Sequence, residues 1–358
     1  MTEKKEIKVG ESLSIAYLGP KASYTHQAAL DAFRDESYTL DPQITIEDVF
    51  SAVQAGKAYR GVVPFENSTN GSVVFTLDLF ADLHNRYPDI LVCGESYIPV
   101  QHCLLGHFPD DKRGPSATPN TASNVIESPL SSGAVTPTNR EPIPQKPTAR
   151  PIGDLSRIRK IYSHPQAWGQ CKIFLNAYLK GIERQDVSST SRAAELVSED
   201  ESGTSAAISS AIAAKLFGLK VLAKGIEERG DNTTRFFVIK RKDTDDDRIT
   251  DQVANDQEQA SAEQWKSLVS FTVDHANPGA LAHSLSVFER YGLNLTSINT
   301  RPSGVENWNY IFFVEIKGRK IEGNEDEGEV NQALRDLDKV CRGRRWLGSW
   351  RNRLRDSV

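Results

Sequence analysis

Patterns typical of strands and of helices alternate along the first part of this chain. They follow one another in the order SIAYLGP (14–20), HQAALDAF (26–33), GVVPFENS (61–68) and VVFTLDLF (73–80). Such alternation predicts βαβ units, whose strands form a mainly parallel sheet covered by helices. Ligands of these folds bind beyond the carboxyl ends of the strands, so the polar residues that follow each strand become candidates for a binding site.

The alternation continues to about residue 240. SYIPVQHCLLGH (96–107) predicts one further strand, and residues 158–179 predict a short strand, a turn at His-Pro and a helix. Hydroxyl residues open a predicted helix at 188–199, as a helix N-cap does. The Ala-rich segment 205–219 predicts a helix packed closely on the sheet. The run GDNTTRFFVIK (230–240) predicts a turn and a buried strand, with Thr-Thr-Arg where they meet.

Two segments lack the composition of a packed core. Nine of the seventeen prolines lie between Pro109 and Pro151, in a segment rich in Ser and Thr and free of aromatic residues. Such a segment buries too little apolar surface to offset its ordering entropy, so we predict a disordered insertion within a domain. The charged stretch 241–264 predicts a linker between domains.

Residues 265–355 have a separate βαββαβ pattern, which predicts a ferredoxin-like domain. Pro278 stands where the first turn of a helix tolerates proline. The basic residues from Arg342 to Arg353 alternate with Trp and Leu, which favours a final strand over a nucleic-acid surface.

The composition excludes several classes of protein. Apolar residues make up 38% of the chain and charged residues 25%, and no apolar run approaches the roughly 18 residues of a membrane span. A net charge of −5 argues against a general nucleic-acid binder. The N-terminal sequence lacks the features of a secretory signal or a transit peptide, so we expect a cytoplasmic location. Four cysteines without C-x-x-C spacing predict reduced thiols.

Four polar clusters stand at predicted strand ends or helix starts. Each offers hydroxyl or amide donors beside the free N–H groups of a helix N-terminus, which together suit an anion. The chain has no Walker motif, no G-x-G-x-x-G after a strand and no HExxH, so nothing supports a nucleotide or a metal. We therefore predict a cleft for a small, oxygen-rich anion, lined by Gly19–Thr25, Pro64–Gly71, Ser163–Gln166 with Gln170, and Asn232–Arg235.

Each cluster also has an ordinary structural explanation. Glu66 and Asn67 can close a turn or cap a helix, and His164 before a proline can be a turn residue. Thr234 can bond to neighbouring backbone at a strand edge. Their shared placement at strand ends is what favours a site.

The segments YLGPKASYTHQAA, VVPFENSTNGSVVFTLDLF, SHPQAWGQC, STSRAA and the run from SAAISSAIAA to GDNTTRF resemble, in order and spacing, the prephenate dehydratase family. The C-terminal domain, with PGALA and LNLTSINTRP, resembles the ACT regulatory domain of that family. The resemblance covers nearly the whole chain except the N-terminal arm (1–11), the Pro-rich insertion and the linker.

The resemblance implies an α/β fold, with a two-lobed catalytic module like a periplasmic binding protein and a C-terminal ferredoxin-like ACT domain. The active site would lie between the lobes. The implied catalytic domain spans 12–240, with lobe 1 at about 12–98 and 205–240 and lobe 2 at about 99–204. The ACT domain would span 265–355.

The family reaction converts prephenate to phenylpyruvate with loss of water and carbon dioxide, in L-phenylalanine biosynthesis, without a cofactor or metal. By resemblance, Thr234 donates a hydrogen bond to the leaving hydroxyl, and Glu66 or a water relays the proton. Arg235 pairs with a substrate carboxylate or holds the strand. The remaining implied residues orient or bind substrate: Asn67, Ser163, Gln170, Ala22, Ser23, Thr25, Ser68, His164, Thr190 and Phe236.

The ACT resemblance implies L-phenylalanine as an allosteric effector, bound between paired subunits of a homodimer or homotetramer. Asn299 replaces the glutamate of the family's Glu-Ser-Arg-Pro motif, and Ala22-Ser23 replaces the usual Gly-Thr. The implied effector-binding residues are Pro278, Gly279, Ala280, Leu281, Asn294, Leu295, Asn299, Thr300, Arg301 and Pro302.

Two alternatives stay open. Arogenate dehydratase differs only in a substrate that carries an amine in place of a keto group. An amino-acid sensor would keep the cleft and lose catalysis, although a mere binder has no need of a donor to the leaving group. Only a short arm precedes the first strand, so we do not expect a fused chorismate mutase.

Overall fold

The computed structural model describes residues 12–107, 146–152, 154–244, 264–323 and 327–354. The predicted N-terminal arm, most of the Pro-rich insertion and most of the predicted linker lie outside these residues. No helix within them is long and apolar enough to cross a membrane. All four cysteines are free thiols.

Strands and helices alternate through most of the described chain. In chain order they are β1 (Leu13–Leu18), α1 (Tyr24–Ala32), β2 (Tyr38–Gln43), α2 (Ile46–Gln54), β3 (Arg60–Asn67), β4 (Gly71–Ser72), α3 (Val74–Ala81), β5 (Ile90–Pro99), β6 (Cys103–Gly106), β7 (Lys160–Ser163), α4 (Pro165–Gln170), α5 (Lys172–Tyr178), β8 (Glu183–Asp186), α6 (Thr190–Ser198), β9 (Ser205–Ser209), α7 (Ala211–Leu216), β10 (Lys220–Lys224), β11 (Thr233–Arg241), β12 (Trp265–Thr272), α8 (Ala280–Arg290), β13 (Leu295–Pro302), β14 (Tyr310–Lys317), α9 (Glu329–Leu337) and β15 (Gly343–Arg351).

The chain divides into two compact units. The first unit contains the chain up to Gly19, Ala28–Ile98 and everything from Thr233 onward. The second unit contains Pro20–Gln27 and Pro99–Asn232. The two-lobed organisation that the sequence predicts is therefore present, with the ferredoxin-like domain joined to the first lobe.

The first unit is built on a sheet with the order β2-β1-β3-β11-β5, and the short strand β4 pairs with β3. β1 runs parallel to β2 and β3, whereas β11 runs antiparallel to β3. Local sequence explains the helix that covers it: Thr45 and Asp48 form a capping box at the start of α2. Val49, Phe50 and Val53 then recur at helical spacing, and all three are buried against the sheet.

The ferredoxin-like domain has the strand order β13-β14-β12-β15 with every described pair antiparallel. Alternate residues along its strands enter two different cores. Val269 and Val314 pack with the domain's own helices, whereas Leu268 and Phe313 pack with side chains of the first sheet. This sheet is therefore buried on both faces, unlike a domain that hangs from a flexible linker.

A shared aromatic core joins the two sheets of the first unit. Phe65 and Phe237 of the first sheet stack at a centroid distance of 3.9 Å, and Trp350 of β15 contacts Phe237 at 5.1 Å. Leu347, also on β15, lies in the same core. The interleaved tryptophan and leucine residues of the basic tail are thus the buried face of a strand, as the sequence predicts.

The second unit contains the sheet order β10-β6-β9-β7-β8. Its faces carry separate cores, because neighbouring residues of β6 point in opposite directions. Leu104 packs with Phe174 and Leu222, whereas Leu105 packs with Ala194 and Ala207.

Residues 205–219 are not one helix, and that prediction was wrong. Ser205–Ser209 form the buried strand β9 between β6 and β7, and only Ala211–Leu216 are helical. A continuous buried run of small residues carries neither the helical nor the strand period, so periodicity alone does not separate the two.

The strand predicted at 96–107 is likewise two strands, because β5 ends at Pro99, which has no N–H to continue a ladder.

The predicted lobe boundaries also need correction. We predicted that 205–240 returns to the first lobe, but β9 and β10 both pair with β6 of the second unit. The return to the first unit comes at Thr233, with β11 alone. Pro20–Gln27, predicted in the first lobe, belongs to the second unit.

Gly348 gives a direct test of the contact between the two sheets of the first unit. A Cβ at this position would lie 2.0 Å from the carbonyl oxygen of Val92 on β5, and its φ of +126° disfavours other residues. We expect Gly348→Ala to lower the free energy of unfolding by about 2–4 kcal/mol. Urea denaturation measures it.

Gly169→Ala is the matched control, because a Cβ there meets no atom within 4 Å and φ is not positive. Equal midpoints for Gly348→Ala and wild type would contradict the close packing of β15 on β5.

Candidate active site

The end of β3 and the start of β11 form one polar edge of the first sheet. The antiparallel register places Thr234 opposite Asn67 and Arg235 opposite Glu66. Directly opposed residues of an antiparallel pair share a face, so Thr234 and Asn67 project together. Two motifs separated by more than 160 residues in sequence thus meet at adjacent positions.

The amide of Asn67 is fixed in orientation. Its Oδ1 accepts hydrogen bonds from the backbone N–H groups of Thr69 and Asn70, each at 3.0 Å. Its Nδ2 therefore points the other way and donates to Thr234 Oγ1 at 3.0 Å. Because Thr234 Oγ1 accepts this bond, the hydroxyl proton of Thr234 remains available to a further acceptor. Hydrogen bonds in series also strengthen one another, which makes this hydroxyl a better donor.

Ser68 ties the same edge together. Its Oγ accepts the N–H of Thr233 at 2.9 Å, and its own N–H donates to the Thr233 carbonyl at 2.9 Å. Glu66 lies on the opposite face of β3 from Asn67 by strand alternation. A direct proton relay from Glu66 to the group beside Thr234 does not fit this geometry.

Arg235 and Phe236 lie in the interior. Phe236 is buried, and its predicted contact with substrate stays a prediction. The guanidinium of Arg235 is buried and forms ion pairs with Glu95 and Glu315. These two carboxylates occupy it, which fits the strand-holding alternative and not the pairing with a substrate carboxylate.

In the second unit, the loop before α1 meets the start of α6. Ser23 Oγ accepts the N–H of His26 at 3.1 Å and so caps α1. Ser191 Oγ, in the first turn of α6, donates to the carbonyl of Lys21. The N-termini of α1 and α6, near Ser23 and Thr190, therefore lie close to one another. Each presents free N–H groups and the positive end of its helix dipole.

The backbone of Ala22 has the conformation that the family's usual glycine would adopt readily. Ala22 has a φ of +68°, a region that favours glycine, and its N–H donates to His26 Nδ1 at 3.1 Å. Its methyl group is buried in a core of the second unit, as Thr25 is buried nearby. The side chains of Ala22 and Thr25 are thus both buried, and their contact with substrate stays a prediction.

Gln170 is held by a residue that the sequence did not indicate. His102 Nε2 lies 2.6 Å from Gln170 Oε1, and the edge of the Tyr24 ring faces His102 at a centroid distance of 6.4 Å. His102 Nδ1 is buried with no hydrogen-bond partner among the described residues. A buried acceptor without a partner costs less than a buried donor, so the proton belongs on Nε2, which donates to Gln170.

Two other predicted residues have structural partners. Ser163 is fully buried, and its Oγ donates to the carbonyl of Ile208 at 3.0 Å, which ties β7 to β9. Ser163 is the last residue of β7, and its role in orienting substrate stays a prediction. His164 is the N-cap of α4, and its Nδ1 accepts the N–H of Gln166 at 3.3 Å.

The predicted effector residues lie on β13 and at the start of α8. Gly279, with a φ of +84°, is the N-cap of α8 and is followed by Ala280 and Leu281. Asn299 Oδ1 accepts a hydrogen bond of 2.6 Å from Ser72 Oγ, and Arg301 pairs with Asp78 of α3 through Nε at 2.5 Å. The substituted residue of the family motif thus contacts the strand that pairs with Glu66 and Asn67.

Three partners of predicted residues were missed. His102, Glu95 and Glu315 are separated from Gln170 and Arg235 by 68 to 140 residues, and no local pattern links them. For Glu95 and Glu315, the one signal in the sequence was a glutamate within an apolar strand. It indicates a paired cation, because a carboxylate is almost never fully buried without a partner. Within the described residues, no group of three or more His, Cys, Asp or Glu side chains could hold a metal ion.

Comparison with known proteins identifies the family of this chain. The family model described as prephenate dehydratase matches residues 15–113 and 141–244. A bifunctional chorismate mutase/prephenate dehydratase from Aquifex aeolicus is 33% identical over 96% of this chain and 75% of its own length. A probable prephenate dehydratase from Saccharomyces cerevisiae is 30% identical over 87% of this chain and 89% of its own length.

A solved structure is also similar over most of the chain. The prephenate dehydratase from Arthrobacter aurescens, in complex with L-Phe, has a TM-score of 0.68 and 25% identity, covering 95% of this chain and 90% of its own. The matched family model covers both units and includes the Asn67 and Thr234 motifs. This chain belongs to the prephenate dehydratase family.

Proposed function

We propose that this chain converts prephenate to phenylpyruvate and that Thr234 donates a hydrogen bond to the hydroxyl that leaves the ring. One observation carries the role of Thr234: its Oγ accepts the 3.0 Å bond from an Asn67 amide whose orientation is fixed. The hydroxyl proton is thereby directed away from Asn67, toward a ligand beside this edge of the sheet.

The reaction makes modest demands on such a site. The C–C bond to the departing carboxylate breaks and its electron pair enters the ring, while the C–O bond breaks and its electron pair leaves with the hydroxyl. A proton on that oxygen completes the water. Aromatisation of the ring supplies the driving force, so positioning and a donor at the leaving oxygen carry much of the catalysis. The geometry of β3 favours a water, not Glu66, as the proton source.

We propose that residues of the second unit bind the substrate carboxylates, as the family resemblance implies. Because His102 donates to Gln170 Oε1, the NH₂ group of Gln170 is left to donate hydrogen bonds to an acceptor such as a substrate carboxylate. The N-termini of α1 and α6, at Ser23 and Thr190, favour negative charge. We propose that these groups bind and orient substrate and that Asn67 and Thr234 act on the leaving group.

We further propose that L-phenylalanine regulates this activity through an ACT domain at residues 265–355, in a homodimer or homotetramer. The βαββαβ topology and the L-Phe complex of the similar Arthrobacter protein support this. The implied effector residues are those on β13 and at the start of α8. The cytoplasmic location stays a prediction from the sequence.

Replacement of Thr234 tests its proposed role. We expect Thr234→Val to lower kcat by roughly 100-fold or more, because valine keeps the shape but has no hydroxyl to donate. Thr234→Ser should keep a substantial part of the activity. Initial rates of phenylpyruvate formation from prephenate measure both.

Thr233→Val is the matched control, because it makes the same change at the neighbouring residue, on the other face of the strand. It should retain kcat near the wild-type value. Full turnover by Thr234→Val would refute the role of Thr234.

The choice of substrate and effector needs a second measurement. We expect a higher kcat/KM with prephenate than with arogenate, and a rate that falls on addition of L-phenylalanine but not D-phenylalanine. Activity with arogenate alone would identify an arogenate dehydratase. No activity with either substrate, together with binding of L-phenylalanine, would identify a sensor.

His102 predicts a pH dependence of stability. Burial lowers its pKa from the usual 6.5, only partly opposed by the hydrogen bond to Gln170 and the charge of Glu227. The unfolded chain therefore binds more protons near pH 6, so the free energy of unfolding falls as the pH drops below about 6.5. We expect a slope of up to about 1.4 kcal/mol per pH unit from this group.

Urea denaturation at pH 7 and pH 5.5 measures the slope, above the range where most carboxylates titrate. His102→Gln should reduce it, because the amide keeps a donor and does not titrate. His26, whose pKa burial also lowers, should contribute a second part that His26→Gln removes. An unchanged slope in the double variant would contradict this assignment.

A further inference from the structure

Four charged side chains form a closed cluster between the two sheets of the first unit. Arg235 Nη2 lies 2.6 Å from Glu95 Oε2 and 2.5 Å from Glu315 Oε2. Lys266 Nζ lies 3.5 Å from Glu95 Oε1 and 3.4 Å from Glu315 Oε1. The exposed fractions of these side chains are between 0 and 7%. Two cations and two anions make the cluster neutral.

Further polar groups saturate the two carboxylates. Thr296 Oγ1 donates to Glu315 Oε1 at 2.7 Å. Tyr97 Oη donates to Glu95 Oε2 at 3.3 Å, and the N–H of Arg353 donates to Glu95 Oε1 at 2.8 Å. Although burial alone would lower the pKa of Arg235, Glu315 and Glu95 raise it, so the guanidinium stays charged.

The cluster draws on both sheets. Glu95 and Arg235 come from β5 and β11 of the first sheet, whereas Lys266 and Glu315 come from β12 and β14 of the ferredoxin-like domain. Aromatic rings enclose the guanidinium, with the Phe237 ring centroid at 4.9 Å and that of Phe65 at 5.5 Å. The side chain of Arg235 is therefore held from two directions in one rotamer.

The position of Arg235 links this cluster to Thr234, the proposed catalytic residue. Arg235 follows Thr234 directly, and the pairing of β11 with β3 shifts by one residue immediately after Arg235. Such a bulge re-aims neighbouring side chains, and its geometry has to be fixed by contacts outside the ladder. The ion pairs of Arg235 are the contacts that hold the backbone at this point.

We propose that Glu315, a residue of the ferredoxin-like domain, is a positioning residue that acts through Arg235 to hold Thr234 at the donor position. This inference rests on the proposed role of Thr234. The ferredoxin-like domain then supplies part of the catalytic geometry, in addition to any effector site. Thr296, which fixes Glu315 from β13, extends the same chain of contacts to the strand that carries Asn299 and Arg301.

Glu315→Gln is the principal test. Glutamine has nearly the same shape but removes the charge that faces Arg235, so the strand loses one of its two anchors. We expect kcat to fall by roughly ten- to a hundredfold while KM for prephenate changes little, because misplacement of a catalytic group costs turnover. Steady-state rates at a temperature well below the melting transition, with near-ultraviolet circular dichroism to verify the fold, provide the readout.

Asp336→Asn is the matched control within the same domain. Asp336 pairs with Arg290 at 3.2 Å and with Lys339 at 2.7 Å on the helical side, and has no contact with the cluster. It should leave both kcat and KM near the wild-type values. A loss of kcat in Glu315→Gln that Asp336→Asn does not share separates positioning from a general loss of stability.

Thr296→Val covers the case in which Glu315→Gln fails to fold. It removes the 2.7 Å bond to the Glu315 carboxylate and the longer 3.4 Å bond to the Glu315 carbonyl, and it keeps all four charges. We expect kcat to fall by roughly two- to fivefold. Wild-type kcat in the folded variants, with Thr234→Val inactive, would overturn this inference and leave the proposed function standing. Full activity of Thr234→Val would overturn both.

Discussion

Burial of the Arg235 guanidinium is the constraint on which the first unit depends. A cation removed from water is stable only if carboxylates with good geometry replace its hydration. One of these carboxylates belongs to β5 and the other to β14, so neither sheet alone completes the set. Folding of the first sheet is thereby linked to the docking of the ferredoxin-like domain.

The alternation of side chains along β11 divides this strand between two tasks. Thr234 projects with Asn67 at the polar edge of the sheet, and Arg235 projects into the charged cluster behind it. A single strand thus presents the proposed hydrogen-bond donor on one face and the ion-paired arginine on the other. The division explains why a threonine, an arginine and a buried aromatic stand consecutively in one short motif.

The sequence predicted those parts of the site that local patterns encode. The strand and turn patterns indicated polar residues at the end of GVVPFENS and at the start of TTRFFVIK. The structure brings together Asn67 and Thr234, which the sequence predicted to line one cleft. Residues whose partners come from distant segments were not predicted. The apolar neighbours of Glu95 and Glu315 show that each is buried, but not which cation it meets. The burial of Ser163 and Phe236 was not predicted, because a motif position does not reveal which face of a strand is covered. The strand β9 was missed because small buried residues have no period.

The contact between Gly348 and Val92 has a consequence for how a domain of this kind is exchanged between proteins. A module carried on a linker is transplanted by cutting and rejoining the linker. Here the domain is bounded by a packing surface. At this surface a glycine of one sheet lies against the backbone of the other, and tryptophan and leucine of β15 pack in the core that β3 and β11 also form. A chimaera joined at residues 241–264 would therefore carry the sequence of the domain without the surface of the first sheet on which the domain packs. Recombination in this family has to carry the facing strand along with the domain, or replace both sides of the contact together.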